Sequence, residues 1–333
     1  MELAEAAAPH LTTMGQVEAV TRLQHENENL RAALEWSLDH GDVVIAARLC
    51  RALWRFWYTC GYFDEGLQWT ERILGAGQAL RPGLRADVLC AAAALAYRHG
   101  DLPRAETLAE ECLTLQDEAG DKHGRAMALI YVGYAEQESG RLAQARAHLE
   151  ESLAVFRSQN DTFGMALVTI GLAQAVYDQG DYPTARRLFE EALELARRRG
   201  DLDTIATALI NLGWMKILRG EAGSATDCAE ALAIFRRLGN RLGLAFCLEG
   251  LAATAGETGQ PLRAARLLGA AEGLREAIHA PLTGTNSAYY ERIVALGRGK
   301  SDPGAFAAAW AEGRAMTDEQ AISFALSEAD AET

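Results

Sequence analysis

Gly299-Lys300-Ser301 ends like a phosphate-cradling loop, in which glycine amides wrap a nucleotide's phosphates and a lysine reaches the terminal ones. The first glycine of such a loop belongs at position 294, which is Val294, so the loop is incomplete. Gly75-Ala76-Gly77 lacks the third glycine of a dinucleotide-binding turn and follows no strand pattern. Seven histidines (His10, His25, His40, His99, His123, His148, His279) are scattered, with no i,i+4 pair that could share a metal on one helix face. No Gly-x-Ser-x-Gly elbow or His-Glu-x-x-His pair occurs. Glu110-Glu111, Glu150-Glu151 and Glu190-Glu191 recur every 40 residues. A catalytic carboxylate pair would occur once, in a sheltered site, so a recurring one marks a solvated helix position. No catalytic residue, metal ligand or cofactor is assigned, and the chain is expected not to be an enzyme.

Composition narrows the partners. Lys and Arg number 32 against 46 Asp and Glu, a net charge of −14, which repels nucleic-acid phosphates and anionic lipid headgroups. Direct nucleic-acid and membrane binding are therefore not expected. Cys50, Cys60, Cys90, Cys112, Cys228 and Cys247 form no Cys-x-x-Cys pair and sit in apolar helical runs, as small buried hydrophobes of a reducing cytoplasm do. The N-terminus has no basic region before its apolar residues. No stretch approaches the ~18 uninterrupted apolar residues of a membrane span, so a cytoplasmic location is expected.

The elements that position these residues follow from an internal period. A Gly with a small residue five positions later recurs as Gly61…Gly66, Gly100…Ala105, Gly140…Ala145, Gly180…Ala185, Gly220…Ala225 and Gly259…Ala264, in steps of 39, 40, 40, 40 and 39. Between these fall Gly120-Asp121, Asn160-Asp161, Gly200-Asp201 and Gly239-Asn240. Gly and Asn accept the left-handed conformation that ends a helix, and the following Asp or Asn can cap the next one. The intervening segments are rich in Ala, Leu, Glu and Arg at helical spacing, with Pro103 and Pro183 at helix starts. Each unit is therefore two helices.

The period alone, ~34 residues for tetratricopeptide against ~40–47 for HEAT-like pairs, would favour HEAT-like pairs. A small residue seven positions before the turn glycine (Ala93, Gly133, Ala173, Gly213), with the Ala twelve residues further on, matches the tetratricopeptide pattern, where two helices touch through small side chains. The expected fold is all-α, a tetratricopeptide-like superhelical solenoid of antiparallel helix pairs with helical caps at both ends. Residues 1–60 are read as an N-terminal helical cap and first helix pair, 61–260 as the repeats, 261–326 as a C-terminal helical cap and 327–333 as a flexible tail. In the first part, Leu23, Asn27, Leu30, Leu34 and Leu38 share one helical face within Val17 to Asp39. The aromatic run Leu53 to Tyr58 reads as packing. In the last part, Pro281 to Thr285 reads as a loop, three helical segments follow, and Asp302-Pro303 and Thr317 with Gln320 read as helix starts.

Most of the chain, from Leu3 to Leu326, resembles the C-terminal repeat region of large bacterial signal-transducing ATPases of the LuxR-type or antibiotic-regulatory transcriptional regulators. Glu26-Asn27-Glu28-Asn29-Leu30-Arg31-Ala32-Ala33-Leu34, Leu53-Trp54-Arg55-Phe56-Trp57, Arg263 to Glu272, Ala280-Pro281-Leu282 and Phe306 to Arg314 carry the likeness. The resemblance implies a sensor or partner-docking role. The family's ATPase and DNA-reading domains have no matching residues here, so the sequence is either part of a longer chain with an ATPase domain upstream or a relative whose effector is separate.

In stacked helix pairs the first helices line the inner surface. Aligning the units places Ile130, Ile170 and Ile210 there, then Tyr134, Gln174 and Trp214, then Tyr97, Gln137, Tyr177 and Ile217. The expected site is a concave groove of Tyr97, Tyr134, Gln137, Gln174, Tyr177, Asn211 and Trp214. Such a surface suits a protein or peptide segment, or a small effector molecule that stacks on rings. A constitutive scaffold or adaptor that holds a client protein is the alternative to a switching sensor.

Overall fold

A computed structural model describes residues 1–76, 80–282, 287, 290–292, 294–295 and 301–327. Gly77, most of the segment 283–300 and the tail beyond Ser327 lie outside the described residues. So do the expected loop past Leu282, much of the first of the three C-terminal helical segments and Gly299-Lys300. Among the described residues every element is helical, and no helix is long and apolar enough to cross a membrane.

Six helix pairs follow one another: α4 (Val43–Cys60) with α5 (Phe63–Ala76), α6 (Pro82–His99) with α7 (Leu102–Ala119), and α8 (Lys122–Glu138) with α9 (Leu142–Gln159). Then come α10 (Thr162–Asp178) with α11 (Tyr182–Arg199), α12 (Leu202–Leu218) with α13 (Ser224–Leu238), and α14 (Arg241–Glu257) with α15 (Pro261–Ala277). The punctuation residues do what their chemistry allows. The turn glycines of the period have positive φ, and Asn160 takes the same left-handed form at φ 54°. Asp101, Asp121, Asp161, Asp181 and Asn240 each accept a backbone N–H of the first turn that follows. The small residue before the turn also has its expected role: a Cβ on Gly133 would stand 2.8 Å from Leu149 and 3.3 Å from the Ala145 carbonyl.

The chain divides into two compact units, 1–205 and 206–333, with the boundary inside α12. In the first, α1 (Glu2–Ala7), a 3-10 turn (Ala8–Thr12), α2 (Gln16–His25) and α3 (Asn27–Asp39) precede the pairs. The leucine face of Val17 to Asp39 is carried by two helices, because the backbone leaves helical geometry at Glu26 (φ −97°, ψ 5°). Of these, α3 packs on α4 and α5, and α1 also packs on α4. Arg31 donates to both Glu65 carboxylate oxygens, at 2.8 and 2.6 Å, and Arg72 to both of Glu35.

In the second unit α16 (Pro303–Arg314) crosses α15, and α17 (Asp318–Leu326) follows. Asp302 caps α16 and Thr317 with Gln320 forms a capping box, as the sequence indicates. Gly269 and Gly313 face the opposite helix so closely that a Cβ on either would overlap a backbone carbonyl, of Trp310 and Arg266 respectively. A buried ion pair joins α14 to α15, with Arg275 donating to Glu249 at 2.7 and 3.0 Å.

Candidate functional site

The expected groove residues fall in both units. In the first, Tyr97 and Tyr134 bring their rings to 5.1 Å, and the Tyr134 hydroxyl donates to the Leu167 carbonyl at 3.1 Å. Asp178 ties neighbouring helices together, accepting from Gln137 at 2.9 Å and from Gln174 at 3.0 Å. Tyr177 packs on Tyr182 with ring centroids 5.0 Å apart. Tyr134, Gln137 and Tyr177 are buried, while Tyr97 and Gln174 are half-buried. In the second unit Asn211 and Trp214 are half-buried; Asn211 donates to Thr207 in its own helix, and Trp214 lies beside Gly250.

The first unit contains functional candidates that the sequence reading passed over. Stepping back 39 residues from Ala94 and Tyr97 lands on Arg55 and Tyr58, which hold the same two repeat positions in α4. The Arg55 guanidinium is 4% exposed and crosses to the start of α12, where it meets Asp203 at 3.2 Å and Asp201 at 3.9 Å. Rings cover it: its centre is 4.9 Å from Tyr58, 5.3 Å from Phe163 and 5.8 Å from Trp54. Burial works against its charge, but Asp203 and Asp201 outweigh that and hold its pKa above the ordinary value. Burial, followed by repulsion from Asp203, pushes the Asp201 carboxyl above the usual carboxylate range, with Arg55 and Thr204 pulling the other way.

The N-terminal segment reinforces this closure. Arg199 donates to the Thr12 carbonyl at 2.8 Å and to its hydroxyl at 3.1 Å, and buried Gln16 accepts the Asp203 N–H at 3.1 Å. Residues 12–16 and 199–203 are thus joined although 187 positions separate the bonded partners. Gly200 makes the seat: its φ is +78°, and a Cβ would stand 3.0 Å from the Met14 nitrogen and overlap the Met14 side chain. Gly200→Ala is expected to lower stability by about 1–3 kcal/mol, from left-handed strain and overlap. Amide hydrogen exchange should show residues 11–16 released first. Unchanged protection there would mean the seat does not hold the segment.

The chain is similar to known repeat proteins. Residues 84–158 and 164–230 match the tetratricopeptide repeat family model. Relatives in Mycobacterium bovis and Mycobacterium tuberculosis, provisionally named HTH-type transcriptional regulators, are 30% identical over 122 residues. That stretch is 34% of this chain and spans only 14% of each relative's length. Among solved structures, a Rap protein complexed with competence and sporulation factor aligns at TM-score 0.60 and 11% identity, over 92% of this chain and 86% of that one. A Rap conjugation gene regulator of the plasmid pLS20, in complex with a peptide, aligns at 0.54 and 11% identity over 77% and 74%. Aspartyl phosphate phosphatase F from Bacillus subtilis aligns at 0.51 and 10% identity over 83% and 74%. At these identities the likeness concerns the fold.

Proposed function

We propose that this chain, which carries tetratricopeptide repeats at residues 84–158 and 164–230, is a non-catalytic binding module, the sensor and partner-docking part of a bacterial signal-transduction or transcription-regulatory system. The observation that carries the reading is the register: in the first unit equivalent repeat positions hold Arg55, Tyr134 and Gln174 in one row and Tyr58, Tyr97, Gln137 and Tyr177 in the next. A surface that repeats rings and amides at one spacing can follow a peptide or a partner helix along its length. The names of the mycobacterial relatives support a regulatory setting, and two of the similar solved structures hold a peptide or factor. In this reading the chain works in the cytoplasm, its effector is either an ATPase domain upstream in a longer parent chain or a separate chain, and any DNA is read by a different domain than this acidic one.

Half-buried groove residues give the fairest test, since truncating buried Tyr134 or Tyr177 would cost stability as well. Proteins and metabolites retained from a cell lysate by the purified chain are identified, and each is titrated by calorimetry against Gln174→Ala and Trp214→Ala. At least tenfold weaker binding is expected for one or both variants, with helicity unchanged. Wild-type affinity in both variants, or turnover of a bound compound, would overturn the reading.

A further inference from the structure

Inside the first unit several buried polar atoms find no hydrogen-bond partner in the protein, among them Arg55 Nε and Nη1, Thr59 Oγ1, Arg98 Nε and Tyr131 Oη. Native interiors leave few such groups unmet, and each calls for an explanation. The two arginines share a neighbour. The guanidiniums of Arg55 and Arg98 both sit on the Tyr58 ring, at 4.9 and 4.7 Å from its centroid. The Tyr131 ring is 5.9 Å from that of Tyr134, which is 5.1 Å from the ring of Tyr97, the residue before Arg98. Tyr131 is 1% exposed.

The unmet arginine atoms are donors only, and the two hydroxyls can donate as well. Arg55 spends one terminal nitrogen on Asp203, and among the described residues Arg98 has no carboxylate within ion-pair distance. The completing molecule must therefore supply acceptors, and the charge left for it to balance is that of Arg98. Its charge is bounded too: Asp203 and Asp201 already stand 3.2 and 3.9 Å from Arg55, so a monoanion suits the place better than a phosphate dianion. The register indicates where a body would lie. α6 carries Ala91 and Ala94 where the following unit carries Tyr131 and Tyr134, so its inner wall offers methyl groups between rings.

We propose that Arg55, Arg98 and Tyr131 bind a small organic monocarboxylate with a flat apolar body, its carboxylate accepting from the free N–H groups and the Tyr131 hydroxyl, its body against the rings of Tyr58 and Tyr134. This names the effector class for the sensor reading and rests on it. Bound there, the ligand would touch α4, α6 and α8 together and so bear on the closure between α4 and α12.

The test uses the full chain, with benzoate and inorganic phosphate as probes at constant ionic strength, followed by calorimetry and thermal melting. Benzoate is expected to bind and raise the melting temperature. Tyr131→Phe removes a hydroxyl that has no protein partner, so the unliganded variant should melt no lower than wild type while binding benzoate at least fivefold more weakly. The proposal falls if benzoate does not bind, if phosphate binds more tightly, or if Tyr131→Phe binds benzoate as wild type does. A lower melting temperature of unliganded Tyr131→Phe would also overturn it, because the hydroxyl would then be satisfied already by water. Partner retention by Gln174→Ala and Trp214→Ala separates the two ideas. If they lose partners while benzoate fails to bind wild type, this inference falls and the docking reading stands.

Discussion

Arg55→Met is expected to lower stability at pH 7.5 by about 3–5 kcal/mol, the usual cost of leaving a buried charge without its partner. Methionine keeps most of the side-chain length and the ring contacts, so the loss reports the charge. What remains is Asp201 and Asp203, both almost fully buried at the start of α12. The sign of the pH dependence follows. Asp201 already titrates above the usual carboxylate range because burial disfavours its charge, and Arg55 is the group that opposes that rise. Without Arg55 its folded-state pKa climbs further above the unfolded value. A carboxylate raised in the folded state destabilises at pH above that raised value, and the penalty fades as pH falls toward the unfolded value of about 3.9. The variant's deficit relative to wild type should therefore narrow between pH 7.5 and pH 5.5, in denaturant melts run side by side. A deficit below about 1 kcal/mol that does not change with pH would remove Arg55 from its role as the compensating charge.

The second large effect lies in the other unit. Gly269 and Gly313 let α15 and α16 cross at backbone contact, and the atom that a new Cβ would strike is in each case a main-chain carbonyl oxygen. A side chain can rotate out of the way, but a helix carbonyl cannot, so Gly313→Ala must push the helices apart. Overpacking costs about 1–3 kcal/mol, and the upper end is expected here because no rotamer relieves it. Separation would also strain the α15–α16 bonds that flank the crossing, from Trp310 to Glu272 at 2.5 Å and from Arg266 to Glu312 at 2.7 Å. Amide exchange is the suitable readout, since terminal helices can open without global melting. Protection in α16 and α17 should fall by at least tenfold while α8 to α10 keep theirs. Equal loss throughout, or none, would show that the crossing is not what holds the terminal helices.

The repeat architecture was legible because it is written locally. A left-handed Gly, a capping Asp and a small contact residue each act within a few positions of themselves, and every copy repeats the signal. The expected groove residues follow from the same repeated signal, by aligning the copies. What joins α4 to α12 was not. Arg55 and Asp203 stand 148 positions apart, and no local pattern announces such a pair. An arginine inside Leu53-Trp54-Arg55-Phe56-Trp57 looks like part of a packed aromatic run. The signal that could have found it is the register, extended one unit upstream, which sets a cation in the row of Tyr134, Gln174 and Trp214. The break at Glu26 was hidden because the leucine spacing runs straight through it.

An open stack of helix pairs can gain or lose one copy during evolution with little consequence, since each copy touches only its neighbours. The bond between residues 12–16 and 199–203 removes that freedom from the first unit. Duplicating or deleting one pair between residues 61 and 200 would carry Asp203 and Arg199 away from Arg55, Thr12 and Gln16. Natural length variation among close relatives should therefore be confined to whole copies added beyond this point, and the number of pairs ahead of it should be constant.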